Sequence, residues 1–208
     1  MSLVRVDSLS DPRLDAFRSL KTTNATRRSG TFVAEGDKLV RRLLASDFTV
    51  ESLLVSERYQ PQFSSLAPDS ADMLVVPDAW IEQLVGFNFH RGILASARRK
   101  PPLDLPALCR AAPAKFTLVV CPDVQDPENL GAILRISAAF GVHAVVLGSA
   151  CCDLFSRRVL RVSMGAAFQL PIVQTAQLPT ELRATHEESS VQSWAAVVDA
   201  LATAFDTL

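Results

Sequence analysis

Two short runs, "KFTLVVC" at residues 115–121 and "HAVVLG" at residues 143–148, constrain this chain more than any other feature. Both are almost wholly apolar and lack the alternation of a strand with one wet face. Such runs are strands covered on both sides, as in a parallel sheet flanked by helices. Between them, "DVQDPENLGAILRISAAFG" carries apolar residues at helical spacing. The three pieces together predict a strand–helix–strand crossover.

The same alternation runs upstream. "TFVAEGDKLVRRLLASDFTVESLLVS" reads as a strand at Thr31–Ala34, a turn through Gly36, a helix, and a strand at Ser52–Val55. Leu39, Val40, Leu43 and Leu44 share one face of that helix, with Arg41 and Arg42 outside it. "DMLVVPDAWIEQLVGF" repeats the strand-then-helix order, and "RGILASAR" reads as a further strand. Ahead of these, "SDPRLDAFRSLKTT" predicts a helix capped by Ser10 or Asp11, with Pro12 in its first turn and Leu14 and Phe17 facing inward. The opening Met-Ser-Leu carries no structural expectation. This half is therefore expected to be α/β with a largely parallel sheet.

Pro101, Pro102, Pro106 and Pro113 mark a linker at about residues 100–114, dividing a first domain (1–104) from a second (115–208). Beyond the crossover, "RRVLRVSMGAAF" and "LPIV" predict another helix and strand. Trp194, Val197, Val198, Leu201, Phe205 and Leu208 form a stripe expected to be a closing core helix.

Composition narrows the function. The 208 residues are 49% hydrophobic, enough for buried cores. No apolar run reaches the roughly 18 residues of a membrane helix, and no secretory leader is expected from "MSLVRVDSLSDPR". Cys109, Cys121, Cys151 and Cys152 form no Cys-x-x-Cys pair and have no His at zinc-ligand spacing. Reduced thiols in a cytoplasmic protein, and no metal, are the expectation. Net charge is −1, so contact with nucleic acid requires local patches. Three suggest themselves: Arg18, Lys21, Arg27 and Arg28 in an acid-free stretch; Arg98, Arg99 and Lys100; and Arg157, Arg158 and Arg161. Phe17 and Phe32 are the aromatic residues near the first patch. No Gly-x-Gly-x-x-Gly, P-loop or Gly-x-Ser-x-Gly segment occurs.

In open parallel sheets, ligands bind beyond the carboxyl ends of the strands. "DVQDPENLG" and "LGSACCD" occupy that edge. Asn129 either caps the following helix or faces a ligand. Gly131, Arg135 and Ala138 or Ala139 recur on one helical face, which places Arg135 among small residues where a ligand or another backbone can approach. Leu130, Ile133 and Phe140 are expected on the sheet side, and Gly141 as a left-handed cap.

"DPENLGAILRISAAFG" resembles motif 1 of the SpoU/TrmH family of RNA 2′-O-ribose methyltransferases, within the SPOUT superfamily, through Asp126, Pro127, Asn129, Gly131, Ala132, Ile133, Arg135, Phe140 and Gly141. "RVSMGAAFQLPI" resembles the family's next segment. "FRSLKTTNATRRSGTFVAEGDKLVRRLL" resembles the small RNA-binding domain that many members carry. The resemblance implies methyl transfer from S-adenosylmethionine to a ribose 2′-hydroxyl of rRNA or tRNA, with Asn129 and Arg135 catalytic. A guanidinium keeps its proton, so Arg135 suits the role of a cation on a phosphate and the developing alkoxide better than that of a base. The family binds its cofactor, and forms a homodimer, through a C-terminal trefoil knot with a Gly-rich motif and a Ser-Leu-Asn segment. No Gly follows Gly165, and no Ser-Leu-Asn occurs. The expected architecture is thus a small α/β substrate-binding domain followed by a parallel-sheet methyltransferase domain without its knot. A fragment inactive alone is expected, with its cofactor residues beyond position 208; the alternative is a non-catalytic RNA-binding module.

Overall fold

A computed structural model describes residues 3–20, 29–66, 68, 70–87, 89, 92–189, 191–197, 199 and 202. The first sheet has five strands, β1 (Leu3–Arg5), β2 (Thr31–Glu35), β3 (Val50–Ser56), β4 (Asp72–Val76) and β5 (Ile93–Arg98), in the order β1-β4-β3-β5-β2. Its helices are α1 (Asp37–Leu44), α2 (Gln60–Phe63) and α3 (Asp78–Val85). The expectation of a largely parallel sheet is corrected here. β1, β4 and β3 run parallel, but β5 is antiparallel to both β3 and β2. Strand–helix alternation does not by itself set direction, and β5 returns beside β3 with reversed sense. The expected opening helix is a 3-10 turn, Pro12–Phe17, capped by the Asp11 carboxylate, with Leu14 and Phe17 fully buried. β1 begins at Leu3, in the segment given no weight. A three-residue edge strand with mostly exposed side chains leaves little sequence pattern.

The second sheet is parallel throughout, in the order β6 (Leu118–Cys121), β7 (Ala144–Gly148), β8 (Ile172–Thr175). Helices α4 (Leu105–Ala111), α5 (Pro127–Ala139), α6 (Arg157–Val162) and α7 (Leu178–Ser189) accompany it. β7, in the middle, is buried along its whole length, whereas β6, at the edge among the described residues, is half-buried except at Cys121.

The proline-rich stretch is not simply a linker. Asp104 accepts a hydrogen bond from the Ala107 amide at 2.7 Å, and Pro106 occupies the first turn of α4, where its missing N–H costs nothing. Leu105 and Cys109 then pack with Val146, Val173 and Leu178 on the outer face of the second sheet. Alternation decides the rest. Val145 and Leu147, on the other face of β7, join a core that also contains Phe32, Leu53, Val55 and Ile93 of the first sheet. The two sheets therefore share one apolar interior, and Phe32 stacks on Phe155 with centroids 4.5 Å apart.

The predicted closing helix is corrected over its described part. Trp194 and Val197 lie outside any helix and are 65% and 59% exposed. A helical stripe folds only where an apolar surface receives it. Val198, Leu201, Phe205 and Leu208 lie outside the described residues.

Candidate functional site

β6 delivers the chain to a loop over residues 122–126, and α5 begins at Pro127. Asp126 is the cap: its Oδ1 accepts from the amides of Glu128 at 2.6 Å and Asn129 at 3.2 Å. The Asn129 side chain is thereby released from capping and faces solvent. Across from it, the loop after β7 is stitched to this one. The Cys152 amide donates to the Val124 carbonyl at 3.0 Å, and the Cys151 thiol lies 3.1 Å from the Cys121 carbonyl and 3.3 Å from the Val124 amide. Gly148 is needed at this crossing, since a Cβ there would meet the Pro122 carbonyl oxygen at 2.3 Å.

Gly131 serves a helix crossing. A Cβ on it would stand 2.7 Å from Val162 Cβ and 3.0 Å from the Val159 carbonyl oxygen, both in α6. One turn further, Arg135 is exposed and makes no hydrogen bond or ion pair among the described residues. Asn129, in the first turn of α5, thus stands at the rim beyond the carboxyl edge of the parallel sheet, and Arg135 is exposed six positions further along the same helix. The expectation for Phe140 is corrected: it is 84% exposed, and Ile136 is 52% exposed, while Leu130 and Ile133 pack inward. Phe140 is the cap residue, past the last full turn, so its side chain clears the sheet. Gly141 has the expected positive φ, +67°.

The cation clusters separate once partners are visible. Arg18 binds Asp15 at 2.7 Å and the Asp11 carbonyl at 2.9 Å. Lys21, Arg27 and Arg28 lie outside the described residues, as does His90. Phe17 and Phe32 are fully buried and not available for base stacking. Arg98 pairs with Glu51, Arg99 with Asp153 and Lys100 with Asp47. Arg157 grips the buried Glu35 at 2.6 Å and lies 3.8 Å over the Phe87 ring. Arg158 pairs with Glu128 of α5. Arg161 lines a cleft against α1. Sequence reading missed Glu35, an acid closing an apolar strand just before a glycine, a pattern unusual enough to have drawn notice.

Burial pushes the Cys121 thiol up to about 11, and raises Cys109 and Cys152 as well. Cys109, Cys121 and Cys152 are therefore poor nucleophiles. No helix among the described residues is long and apolar enough to cross a membrane.

Helix α5, whose Arg135 side chain is unpaired among the described residues, lies inside a recognised family domain: residues 117–205 match the SpoU rRNA Methylase family, and residues 11–95 match the MRM3-like substrate binding domain. Residues 117–205 are thus a SpoU-type methylase domain, preceded by an MRM3-like substrate binding domain. A Mycobacterium bovis protein named as an uncharacterized tRNA/rRNA methyltransferase is 37% identical over 182 residues, covering 85% of this chain and 62% of the relative. The Bacillus subtilis 23S rRNA guanosine 2′-O-methyltransferase RlmP is 26% identical, covering 82% of this chain and 64% of its own. The chain thus spans less than two thirds of the length of these relatives. The fold matches the structure of an AdoMet-bound rRNA methyltransferase from Sinorhizobium meliloti with a TM-score of 0.72, at 24% identity, covering 88% of this chain and 69% of that one.

Proposed function

We propose that this SpoU-family chain takes part in transferring a methyl group from S-adenosylmethionine to a ribose 2′-hydroxyl of rRNA or tRNA in the cytoplasm. The observation that carries the reading is Arg135, exposed and without a side-chain partner among the described residues, on the helix that also carries Asn129. Relatives named as tRNA/rRNA methyltransferases support it.

S-adenosylmethionine would supply an electrophilic methyl on its sulfonium, and would leave as S-adenosylhomocysteine once that methyl passed to the 2′-oxygen and the hydroxyl proton to solvent. At the carboxyl ends of β6 and β7 the Gly148 backbone approaches the Pro122 carbonyl too closely for any side chain, and no described residue is assigned to the cofactor. Its binding residues are proposed to lie outside those described. What this chain contributes is positioning. The fixed charge of Arg135 orients a substrate phosphate and stabilises oxyanion character on the attacking oxygen. Asn129 offers an amide donor and acceptor six positions earlier, at the helix start. Asp126 holds that start in place, and the Gly131 crossing holds the helix against α6.

The first domain, residues 1–104, is proposed to grip the RNA, with Lys21, Arg27 and Arg28 on phosphates, while residues 115–208 carry the reacting edge. Of the other cations anticipated for RNA, Arg18, Arg157 and Arg158 have acidic partners, which leaves Arg161 as the open one of that set. A family-type homodimer is part of the same proposal, and sedimentation of the purified protein reads it out.

The test is transfer of labelled methyl from S-adenosylmethionine to ribosomal and transfer RNA, assayed with this chain and with the complete gene product. Label recovered as 2′-O-methylribose from either protein supports the reading. RNA binding by both with no transfer by either would favour a non-catalytic RNA-binding module.

A further inference from the structure

A cleft of about 350 Å³ opens between α1 and α6, at the junction of the two sheets and separate from the α5 rim. That volume lies within the range of small-ligand sites. Its charged lining is Glu35, Asp37, Lys38, Arg42 and Arg161. Both carboxylates are already matched by cations that do not line the cleft: Glu35 by Arg157 and Asp37 by Arg41, each at 2.6 Å. The three cations are not so matched. The Lys38 and Arg161 side chains make no hydrogen bond or ion pair among the described residues. Arg42 gives one N–H to the Met164 carbonyl and keeps its other donors.

The wall around Arg42 is shaped to hold it there. Met164 adopts φ +55° and Gly165 φ +81°, a left-handed pair that turns the Met164 carbonyl toward the guanidinium. A Cβ on Gly165 would approach Arg42 Cδ to 3.1 Å, so the glycine leaves room for that side chain. α1 opens toward the cleft with Gly36 as its cap and no side-chain capping bond, leaving first-turn N–H groups to an outside acceptor.

We propose that this cleft binds a phosphodiester of the RNA strand, held by Lys38, Arg42 and Arg161 from both sides of the domain junction. The inference rests on the RNA reading given above and names a second contact for the same strand. A backbone phosphate suits it better than a base, because no aromatic side chain among the described residues lines the cleft. α6 is the shared wall: Arg161 faces the cleft, while Val159 and Val162 touch Gly131 of α5. One helix diameter, ~10 Å, therefore separates the phosphate from the α5 rim, and neighbouring nucleotides can reach both.

The experiment measures binding of a labelled single-stranded oligoribonucleotide of about 20 residues to this chain, between roughly 50 and 300 mM salt. For Lys38→Ala/Arg161→Ala, loss of one phosphate contact should lower the log–log salt slope by ~0.7 and weaken binding several-fold. Lys38→Arg/Arg161→Lys should keep the slope, and thermal melting should match the wild type in both variants. A wild-type slope in the Ala variant overturns the proposal while RNA binding itself stands. Inorganic phosphate and adenosine monophosphate are titrated in parallel. Tight saturation by either one, abolished in the Ala variant while the RNA slope is unchanged, would make this a site for a free phosphate compound and also overturn the proposal. Failure of the wild-type chain to bind any RNA would instead sink the reading on which it rests.

Discussion

Arg99 and Asp153, 54 positions apart, are joined by two parallel hydrogen bonds of 2.7 Å each. The same guanidinium donates from Nε to the Thr31 carbonyl at 2.8 Å and lies 5.0 Å from the centroid of the Phe155 ring. One side chain thus ties β2, the end of β5 and the loop after β7. Arg157 and Glu35 make a second tie across the same junction, so the two sheets are clamped on both flanks of the Phe32–Phe155 stack.

The Arg99 and Asp153 side chains are only 16% and 14% exposed, which takes this pair out of the class of surface bridges worth little. Arg99→Ala leaves a desolvated carboxylate, and should lower stability by about 2–4 kcal/mol in urea unfolding. Arg99→Lys should recover only part, since an ammonium does not reproduce the two-pronged fork. A loss under ~0.5 kcal/mol would show the pair to be solvent-screened after all.

Gly131→Ala sets two effects against each other. Alanine is preferred to glycine inside a helix by about 1 kcal/mol. Against that, the new Cβ would meet Val162 Cβ at 2.7 Å and the Val159 carbonyl at 3.0 Å, and the second of these is backbone. α5 and α6 must separate, at a cost of about 1–3 kcal/mol, so net destabilisation is expected. A rise in the urea midpoint would mean that the crossing relaxes freely.

The buried strands were legible because their signal is local: an unbroken apolar run needs no knowledge of its neighbours. The placement of Asn129 and Arg135 on one helix was legible for the same reason, since both lie in one short segment. Strand direction in the first sheet was not, because β5 is paired by residues far from it in the chain. Nor were the cation clusters. Arg157 is neutralised by Glu35, 122 positions away, and Arg98 by Glu51, 47 positions away, so cations that look free along the sequence are occupied in the fold. Pro106 shows the reverse error: proline reads as a linker unless the capping Asp104 beside it is given equal weight.

Cys121 offers a test through pH. Burial raises its thiol from an ordinary 9.0 to about 11, so the unfolded chain ionises first. Stability contributed by this group is present below about pH 9 and lost as pH rises toward about 11. Native-state alkylation of Cys121 should accordingly be negligible at neutral pH and should rise only as that range is approached, followed by mass spectrometry of the peptide. Rapid labelling of Cys121 at neutral pH in the native state would contradict the burial.

Arg135 is proposed to act on the reacting 2′-oxygen. Its exposure and lack of partners mean that Arg135→Ala removes no packing and no ion pair, and surface changes of this kind stay within about 0.5 kcal/mol. Melting should be unchanged, while methyl transfer by the complete gene product should fall by about 10²–10³, the loss typical of removing one group that stabilises a developing oxyanion. Arg135→Lys keeps the charge without the planar fork and should fall between the two. A drop confined to KM would make Arg135 a phosphate anchor that acts equally in ground and transition states. A drop in kcat places it on the attacking oxygen, and near-normal turnover removes it from the site.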